Sequence, residues 1–382
     1  VVSNMKKSFT EIFKKEFKNV FKDSAAVLVM VVGVIAYSVF YAIPYTYELV
    51  KEVPIAVIDN NHTQLSKAFL RDLDANDNVK ITKYVSEIQE AKDLFYSGNV
   101  KGIVVIPDNF SQDLKKGKQV RVSVFADSGY LIIYKSVYGG VQTVASSFGA
   151  KIEVASLMKS GVPKNLAIRL KQPYEFVTVP LFNPSGGYAT YVYPIVLIII
   201  LHQTLIVGIG LILGYLNETK QNYFDVGDNC ALVLFARASV YVCLYMFYSF
   251  FYFLVYPAIV NYPMSYNLLA LLLVLIPFFY SIVFFAHTIS YFFRSRESAL
   301  MFLVVSSLLL VFLPGFVWPR EALPAWLNFI AAFIPATKGI DAIIRINQFG
   351  ASFSQIFHDF SIIVGLCFLY FILAIKVLKR RL

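Results

Sequence analysis

Six long apolar runs lie along this chain, and one long mixed segment separates the first run from the other five. A run of about 20 apolar residues is long enough to cross the hydrocarbon core of a bilayer as a helix. The runs of this kind are Ala25–Pro44, Tyr191–Tyr215, Ser239–Val260, Asn267–Phe292, Ser298–Val317 and Phe360–Val377. They predict an α-helical polytopic membrane protein with six transmembrane helices, one at residues 25–44 and five within residues 188–382.

The mixed segment, residues 45–187, alternates strand and helix patterns. β-Branched runs predict strands, and apolar residues at three- or four-residue spacing predict helices. The predicted strands are Val53–Ile58, Val79–Tyr84, Gly102–Ile106, Val120–Phe125 and Glu175–Val179, and the predicted helices are Thr63–Leu73, Ser86–Tyr96, Phe110–Lys116 and Leu131–Met158. We therefore expect an α/β domain with a mixed sheet, inserted between the first and second transmembrane helices.

The N-terminal segment, residues 1–24, has apolar residues at helical spacing with lysines between them. The apolar residues are Phe9, Ile12, Phe13, Phe17, Val20 and Phe21. This pattern predicts a basic amphipathic helix that lies in the membrane interface before the first span. The alternative is a solvated, charged leader.

The net charge of +10 fits the excess of Lys and Arg in cytoplasmic segments of membrane proteins, and we expect no nucleic-acid partner. Basic residues concentrate in the N-terminal segment, in the loop Phe293–Glu297 and at Lys379-Arg380-Arg381. With these segments inside, both termini are cytoplasmic, while the insert and the loop Asn261–Ser265 lie outside. The predicted location is the bacterial inner membrane, with its lipids as partners.

The first apolar run lacks a convincing cleavage site, so we expect it to remain as an anchor. The sequence leaves open whether Val1 or Met5 is the true start. Its cysteines, Cys230, Cys243 and Cys367, all lie outside the insert, so no disulfide is expected there.

Motifs for enzyme chemistry are missing from the sequence. The phosphate-binding pattern G-x-x-x-x-G-K-[ST] does not occur, since Gly117-Lys118 is followed by Gln119. The four histidines have no metal-ligand spacing, and no catalytic triad can be assembled. We therefore expect no catalytic residue, no bound cofactor and no metal site in this chain.

Polar residues inside transmembrane helices are costly, so their positions are informative. His202 and Gln203 lie in the second span and His287 in the fourth. A stripe of tyrosines follows one face of the third span: Tyr241, Tyr245, Tyr248, Tyr252 and Tyr256. These side chains either line a substrate path or pack between helices. The glycines Gly208, Gly210 and Gly214 favour close helix packing.

Several sequence motifs together resemble type-2 ABC transporter permeases. They are Pro314–Leu327, Ile334–Asp341 with Arg345, Val57-Ile58-Asp59, Leu65-Ser66, Gly102–Phe110 and Phe182-Asn183-Pro184, and they occur in the order expected for the family over essentially the whole chain. The resemblance implies an outer re-entrant segment at residues 318–357. Its candidate residues are Trp318, Pro319, Pro324, Trp326, Pro335, Asp341 and Arg345. Asp341 and Arg345, four residues apart, are expected to form an ion pair.

The resemblance also implies partners. Members of this family are bacterial export permeases that work as dimers with cytoplasmic ATPase subunits, which bind the ATP and magnesium. A second copy or a related permease would complete the dimer, and the multidrug-type subgroup adds a periplasmic adaptor and an outer-membrane channel. The loop 216–237 is expected to contact the ATPase through Glu218, Lys220, Asp225 and Arg237. Here Leu216–Phe224 departs from the acidic-Gly-Thr-acidic pattern of many relatives, so the coupling role transfers by position only.

Two functions follow as hypotheses. One is the permease subunit of an ATP-driven ABC exporter that moves hydrophobic or amphipathic compounds out of the cytoplasm or the inner leaflet. The alternative is a non-transporting membrane receptor or scaffold with the insert as its binding module. An ion-coupled transporter is disfavoured because the six runs have no Asp or Glu at their centres.

Overall fold

The computed structural model describes residues 8–43, 49–171, 181–183, 186–225, 228–260 and 267–379. The chain divides into a helical unit, Val1–Glu48 with Pro180–Leu382, and a second unit, Leu49–Val179, which we call the α/β unit. Three predicted features lie outside the described residues: the strand Glu175–Val179, the loop Asn261–Ser265 and the basic residues Arg380-Arg381.

The helical unit begins with α1, Phe9–Lys22. A capping box starts this helix, because the Ser8 hydroxyl accepts the N–H of Glu11 while the Glu11 carboxylate accepts the N–H of Ser8. Asp23 ends α1 and caps the next helix by accepting the N–H groups of Ala25 and Ala26, both at 3.1 Å. That helix is α2, Ser24–Tyr41, and it contains a wide π-helical turn at Leu28–Gly33.

The α/β unit is built on a sheet of β1 (Val53–Asp59), β2 (Val79–Tyr84), β3 (Gly102–Ile106) and β4 (Ser123–Ala126). The strand order is β2-β1-β3-β4, with β1 parallel to both β2 and β3 and with β4 antiparallel to β3. Its helices are α3 (Gln64–Asp74), α4 (Ile88–Tyr96), α5 (Phe110–Lys115), α6 (Leu131–Lys159) and α7 (Lys164–Lys171).

Both faces of this sheet are covered. Val57 packs with Phe69 of α3 and Val141 of α6, whereas the next residue, Ile58, packs with Ala91 of α4 on the opposite face. Successive side chains of a strand point to opposite faces, so a strand buried on both sides reads as a continuous apolar run. This explains why β1 and β3 lack the polar alternation of a one-sided sheet.

The helical unit continues with α8 (Tyr188–Glu218), α9 (Cys230–Ile259), α10 (Leu268–Phe292), α11 (Arg296–Phe312), α12 (Ala325–Ala332), α13 (Pro335–Asn347) and α14 (Phe353–Lys379). Within the described residues, α2, α8, α9, α10 and α14 make five helices long and apolar enough to cross a membrane. The pair α12 and α13, bent by 81°, adds a sixth if it is one span. The mostly helical architecture agrees with a polytopic membrane protein.

The predicted fifth span corresponds to α11. This helix has 17 residues and starts at Arg296, after Ser295 accepts the N–H of Ser298 as its cap. It is not among the five helices counted above. The bent pair α12 and α13 falls instead inside the predicted re-entrant segment, so the number of spans does not follow from the apolar runs alone.

Glycines allow close approach at two helix contacts of α8. A Cβ atom on Gly214 would lie 2.7 Å from the backbone oxygen of Ser295, and one on Gly208 would overlap the Met30 side chain. No side chain fits against a backbone atom at that distance. Gly208 and Gly214 therefore pack as the small-residue pattern predicts.

Candidate functional site

Five side chains from four parts of the helical unit meet near one end of the bundle. They are Glu16 of α1, Tyr223 of the 216–237 loop, Arg237 and Tyr241 of α9, and His287 of α10, and we call them the Arg237 cluster. Glu16 is only 4% exposed although it belongs to a helix rich in charges. A buried carboxylate needs hydrogen bonds and a cation nearby, and the cluster supplies both.

The Glu16 carboxylate has two partners on α9. The Tyr241 hydroxyl donates to Oε1 at 2.6 Å, and Nε of Arg237 lies 3.7 Å from Oε2. These contacts fasten the buried face of α1, formed by Ile12, Glu16 and Val20, to the third predicted span. The predicted apolar face of α1 is thus divided, because Phe17 and Phe21 remain exposed while Ile12 and Val20 pack on protein.

Tyr223 connects Arg237 to His287. The Arg237 guanidinium lies 4.1 Å from the centre of the Tyr223 ring, within the range of a cation–π interaction. The Tyr223 hydroxyl is 3.0 Å from Nε2 of His287, whose Nδ1 is 2.7 Å from the Val283 carbonyl. A carbonyl only accepts, so Nδ1 carries the proton and the Tyr223 hydroxyl donates to Nε2. Burial raises the pKa of the Tyr223 phenol, which keeps this donor protonated.

Tyr223 and Phe224 anchor the predicted coupling loop in the bundle. Both side chains are buried in the main apolar core, although the loop around them is polar. The sequence interpretation passed over this aromatic pair. The available signal was two adjacent aromatic residues in a loop otherwise rich in Asn, Gln and Asp. Because they are buried, the loop cannot move far without moving the helices around it.

The predicted coupling residues occupy different environments. Arg237 belongs to the cluster, whereas Glu218, Lys220 and Asp225 are exposed along the loop. Lys220 has a positive φ of 53°, which turns the chain after the end of α8. The structure therefore separates one inward-facing residue from three that a partner could contact.

A second ion pair joins the start of α2 to the start of α11. The Arg296 guanidinium donates to both oxygens of Asp23, at 3.1 and 2.5 Å, and lies 4.4 Å from the Tyr215 ring centre. Beside it, a cavity of about 570 Å³ is lined by α1, the end of α8 and the loop, including Lys15, Gln221 and Arg237. This end of the bundle is therefore polar, charged and recessed.

A separate cavity of about 680 Å³ lies between α2, α8 and α11. Its lining is largely apolar, with Val32, Val207 and Val304 beside the polar residues Gln203 and Thr204. Gln203 is thus the one predicted path residue that lines it. His202 is fully buried elsewhere, and within the described residues its ring nitrogens have no hydrogen-bond partner.

The tyrosine stripe of α9 packs inside the bundle. The hydroxyls of Tyr241, Tyr245 and Tyr252 donate to Glu16, to Thr204 at 3.0 Å and to the Val34 carbonyl at 2.5 Å, respectively. Tyr248 is also buried, and none of these four residues lines the 680 Å³ cavity. Their placement follows the packing interpretation of the stripe.

In the predicted re-entrant segment and the start of α14, five charged residues form what we call the Asp359 cluster: Arg320, Lys338, Asp341, Arg345 and Asp359. The predicted pair between Asp341 and Arg345 is wrong. Asp341 binds Arg320 and lies 3.6 Å from Lys338, while Arg345 binds Asp359 at 3.1 Å. Lys338 also binds Asp359, at 2.9 Å. Asp341 and Arg345 are four residues apart on α13, but each has other partners: Arg320 and Lys338 for Asp341, and Asp359 for Arg345.

Prolines and tryptophans shape the same segment. Pro319 precedes a short 3-10 helix, Arg320–Ala322, and Pro324 precedes α12. Pro335 is the first residue of α13, a position where proline's fixed φ is favourable. Trp318 and Trp326 are exposed. Exposed tryptophans are common where a membrane protein meets the membrane–water interface.

A bundle of five helices long and apolar enough to cross a membrane, together with a bent helix pair, defines a multi-pass membrane protein. Among the described residues, no group of three His, Cys, Asp or Glu could hold a metal ion. The model of the family described as ABC-2 family transporter protein matches residues 25–376. The chain therefore belongs to the ABC-2 family of transporter proteins. It is a permease component, and such permeases work with a separate ABC ATPase subunit.

A solved structure to which this chain is similar is "Crystal structure of a domain of a putative ABC type-2 transporter from Thermotoga maritima MSB8". It is 22% identical and matches 32% of this chain and 82% of its own, with a TM-score of 0.24. No curated protein matches the sequence.

Proposed function

We propose that this chain is the permease subunit of an ATP-driven exporter that moves hydrophobic or amphipathic compounds out of the cytoplasm or the inner leaflet. In this proposal α1 and the 216–237 loop face the cytoplasm of a bacterial cell, in the inner membrane. The partner ATPase binds ATP and magnesium and docks against the loop. The α/β unit lies outside, where a periplasmic adaptor and an outer-membrane channel would continue the route.

The Arg237 cluster is the observation that carries this proposal. A transporter driven by a separate ATPase needs a firm connection between the docking surface and the helices that move. Here the loop places Tyr223 between Arg237 of α9 and His287 of α10, and Arg237 also contacts Glu16 of α1. A displacement of the loop by the ATPase would therefore be transmitted to α9, α10 and α1 together.

The apolar cavity between α2, α8 and α11 supports a pathway completed by a second subunit. The exposed side chains of α11 include Leu300, Val304 and Leu308, on the helix that lines one side of this cavity. A second copy, or a related permease, would cover these residues and enclose the cavity. The apolar lining suits hydrophobic and amphipathic compounds, with Gln203 and Thr204 as polar contacts.

Co-expression with candidate ABC ATPases tests the proposal. The complex should co-purify, and in proteoliposomes its ATPase activity should depend on this chain. Two sets of substitutions separate docking from transmission. Replacing Glu218 and Lys220 by Ala should weaken the association, because both are exposed on the loop. Arg237→Ala should leave the association intact and abolish the stimulation of ATPase activity.

Complete absence of association with any nucleotide-binding subunit would overturn the proposal. Association without movement of any hydrophobic dye across the bilayer would favour a receptor or scaffold with the α/β unit as its binding module. Lys18→Ala, an exposed charge change on α1, is the control and should behave as wild type.

A further inference from the structure

A cavity of about 510 Å³ opens at one edge of the α/β unit. It lies at the carboxyl ends of the parallel strands β1 and β2, beside α3, and includes Val57, Asp59 and Tyr84. Open α/β sheets bind their ligands outside the carboxyl ends of the strands. The strand order reverses between β1 and β3, and there Asn61, Thr63 and Ser111 hydrogen-bond to one another. The cavity lies beside that point, at the ends of β1 and β2.

The rim of this cavity carries two cationic side chains. Lys67 and Arg71 lie one turn apart on α3, and both are exposed. In the described part of the chain they have no ion-pair partner. Other acidic residues around α3 are taken, because Asp72 binds Lys151, Asp74 binds Lys80 and Asp77 binds Lys51. Like charges one turn apart repel each other, and a bound anion would remove this repulsion.

The carboxylate in the lining, Asp59, is already engaged. Its Oδ1 accepts the N–H groups of Asn61 at 3.0 Å and His62 at 3.1 Å, and its Oδ2 accepts the Ser66 hydroxyl at 2.8 Å. These bonds hold the loop so that His62 adopts a positive φ of 50° and stands at the rim. Asp59 therefore shapes the cavity, and its charge is compensated by donors.

The remaining lining suits an apolar body. Val57, Leu70 and Val85 form an aliphatic part, and the exposed ring of Tyr84 stands beside them. Burial, with added effects of Asp74 and Asp59, raises the pKa of the Tyr84 phenol, so this hydroxyl stays protonated and can donate. Aliphatic surface next to two cations, an imidazole and a phenol is the chemistry of a site for an amphipathic anion.

We propose that this cavity binds a small carboxylate with an apolar body, whose acid group is held by Lys67 and Arg71. Arg presents planar paired donors that match a carboxylate, and Lys adds a mobile point charge. The inference concerns binding by the α/β unit and does not depend on ATP-driven export, so either can fail without the other.

Equilibrium binding to the full chain in lipid nanodiscs tests the site. The probe is naphthalene-2-acetate, followed by its fluorescence, and 2-(naphthalen-2-yl)ethylamine is the matched cation. Empty nanodiscs give the lipid background. Wild type should bind the acid saturably and the amine much more weakly. Lys67→Gln with Arg71→Gln should weaken binding of the acid about tenfold or more, since charge-assisted bonds are lost.

Two further variants make the result decisive. Lys92→Gln removes one exposed charge from α4, on the opposite face of the sheet, and should bind the acid as wild type does. Lys67→Glu with Arg71→Glu should exchange the preference, so that the amine binds better than the acid. The proposal fails if wild type shows no saturable binding of the acid, if it binds both probes equally, or if the neutralised variant keeps wild-type affinity.

Discussion

The Arg237 cluster and the Asp359 cluster both hold charges inside the helical unit, but they use different chemistry. In the Asp359 cluster two acids contact three cations directly, and Asp359 binds two of them, Lys338 and Arg345. In the Arg237 cluster one acid and one cation stand 3.7 Å apart, and aromatic and imidazole groups make the other connections. The Asp359 cluster is a network of ion pairs, whereas the Arg237 cluster depends mainly on contacts of the Tyr223 ring and hydroxyl.

The difference matters because the two arrangements respond differently to displacement. Direct ion pairs lose much of their energy when one buried partner is removed or withdrawn. A cation–π contact and a tyrosine hydroxyl tolerate sliding of one group over another, since the ring face offers a broad attractive surface. We therefore expect the Asp359 cluster to hold the bent helices in place and the Arg237 cluster to stay connected while it moves.

Neutralising Asp359 should have the largest effect on stability. Asp359→Asn removes the acid that Arg345 binds and leaves Lys338 only its longer contact with Asp341, at 3.6 Å. Breaking a buried pair of this kind costs about 3 kcal/mol. The Asp359 side chain is 3% exposed and that of Lys338 18%, so little water can compensate. The thermal unfolding midpoint of the purified chain should fall clearly.

Arg345→Gln is the matched control, because the Arg345 side chain is 48% exposed and its removal should cost about 1 kcal/mol or less. If both substitutions lower the unfolding midpoint equally, Asp359 does not contribute more to the stability of the cluster than Arg345 does.

Neutralising Glu16 should have an intermediate effect on stability and a strong one on coupling. Glu16→Gln keeps an acceptor for the Tyr241 hydroxyl but leaves Arg237, 18% exposed, without its anion. We expect a loss of about 2 kcal/mol, the order of a charged hydrogen bond, together with weaker ATPase stimulation in the complex proposed above. Lys18→Gln on the same helix should change neither measurement. Full stimulation with Glu16→Gln would show that α1 is outside the coupling route.

Removing the Tyr223 hydroxyl should have the smallest effect. Tyr223→Phe loses the bond to His287 and keeps the ring under Arg237, so the expected cost is about 1 kcal/mol. Tyr215→Phe keeps the ring beneath Arg296 and removes a hydroxyl from an exposed tyrosine, and it should be neutral. Chemical denaturation of both variants side by side provides the measurement. A larger loss for Tyr223→Phe than for Glu16→Gln would reverse the assigned roles of the two groups.

Local patterns predicted individual elements of this chain well. The strands Val79–Tyr84 and Gly102–Ile106 begin and end where they were predicted. The second begins at Gly102 and is followed by Pro107, and the first is preceded by the turn residues Asp77 and Asn78. The long helix α10 likewise follows the apolar run predicted at Asn267–Phe292. Such elements depend on residues close in sequence, so the spacing of apolar residues is enough to predict them.

The charged clusters could not be predicted in this way. Tyr241 and Glu16 are 225 positions apart, and Glu16 looks like one more solvated charge on an amphipathic helix. Asp359 lies near the start of an apolar helix, and no local pattern indicates that it binds two cations from α13. Helix spacing predicted that Asp341 would pair with Arg345. In the folded chain Asp341 instead binds Arg320, from the 3-10 helix that precedes α12. Partner choice is set by folding in three dimensions.

The wide turn at Leu28–Gly33 gives the first span an unusual geometry. The side chains of Ala26, Met30, Val34 and Ser38 are all buried, and they occur every fourth residue. In a regular helix, steps of four residues advance about 40° beyond a full turn, so such a row would wind around the axis. A π turn contains more residues per turn and compensates for this drift. The buried residues therefore form a nearly straight row along α2. Two helices that contact along a straight row can rotate about that line without shifting along their axes.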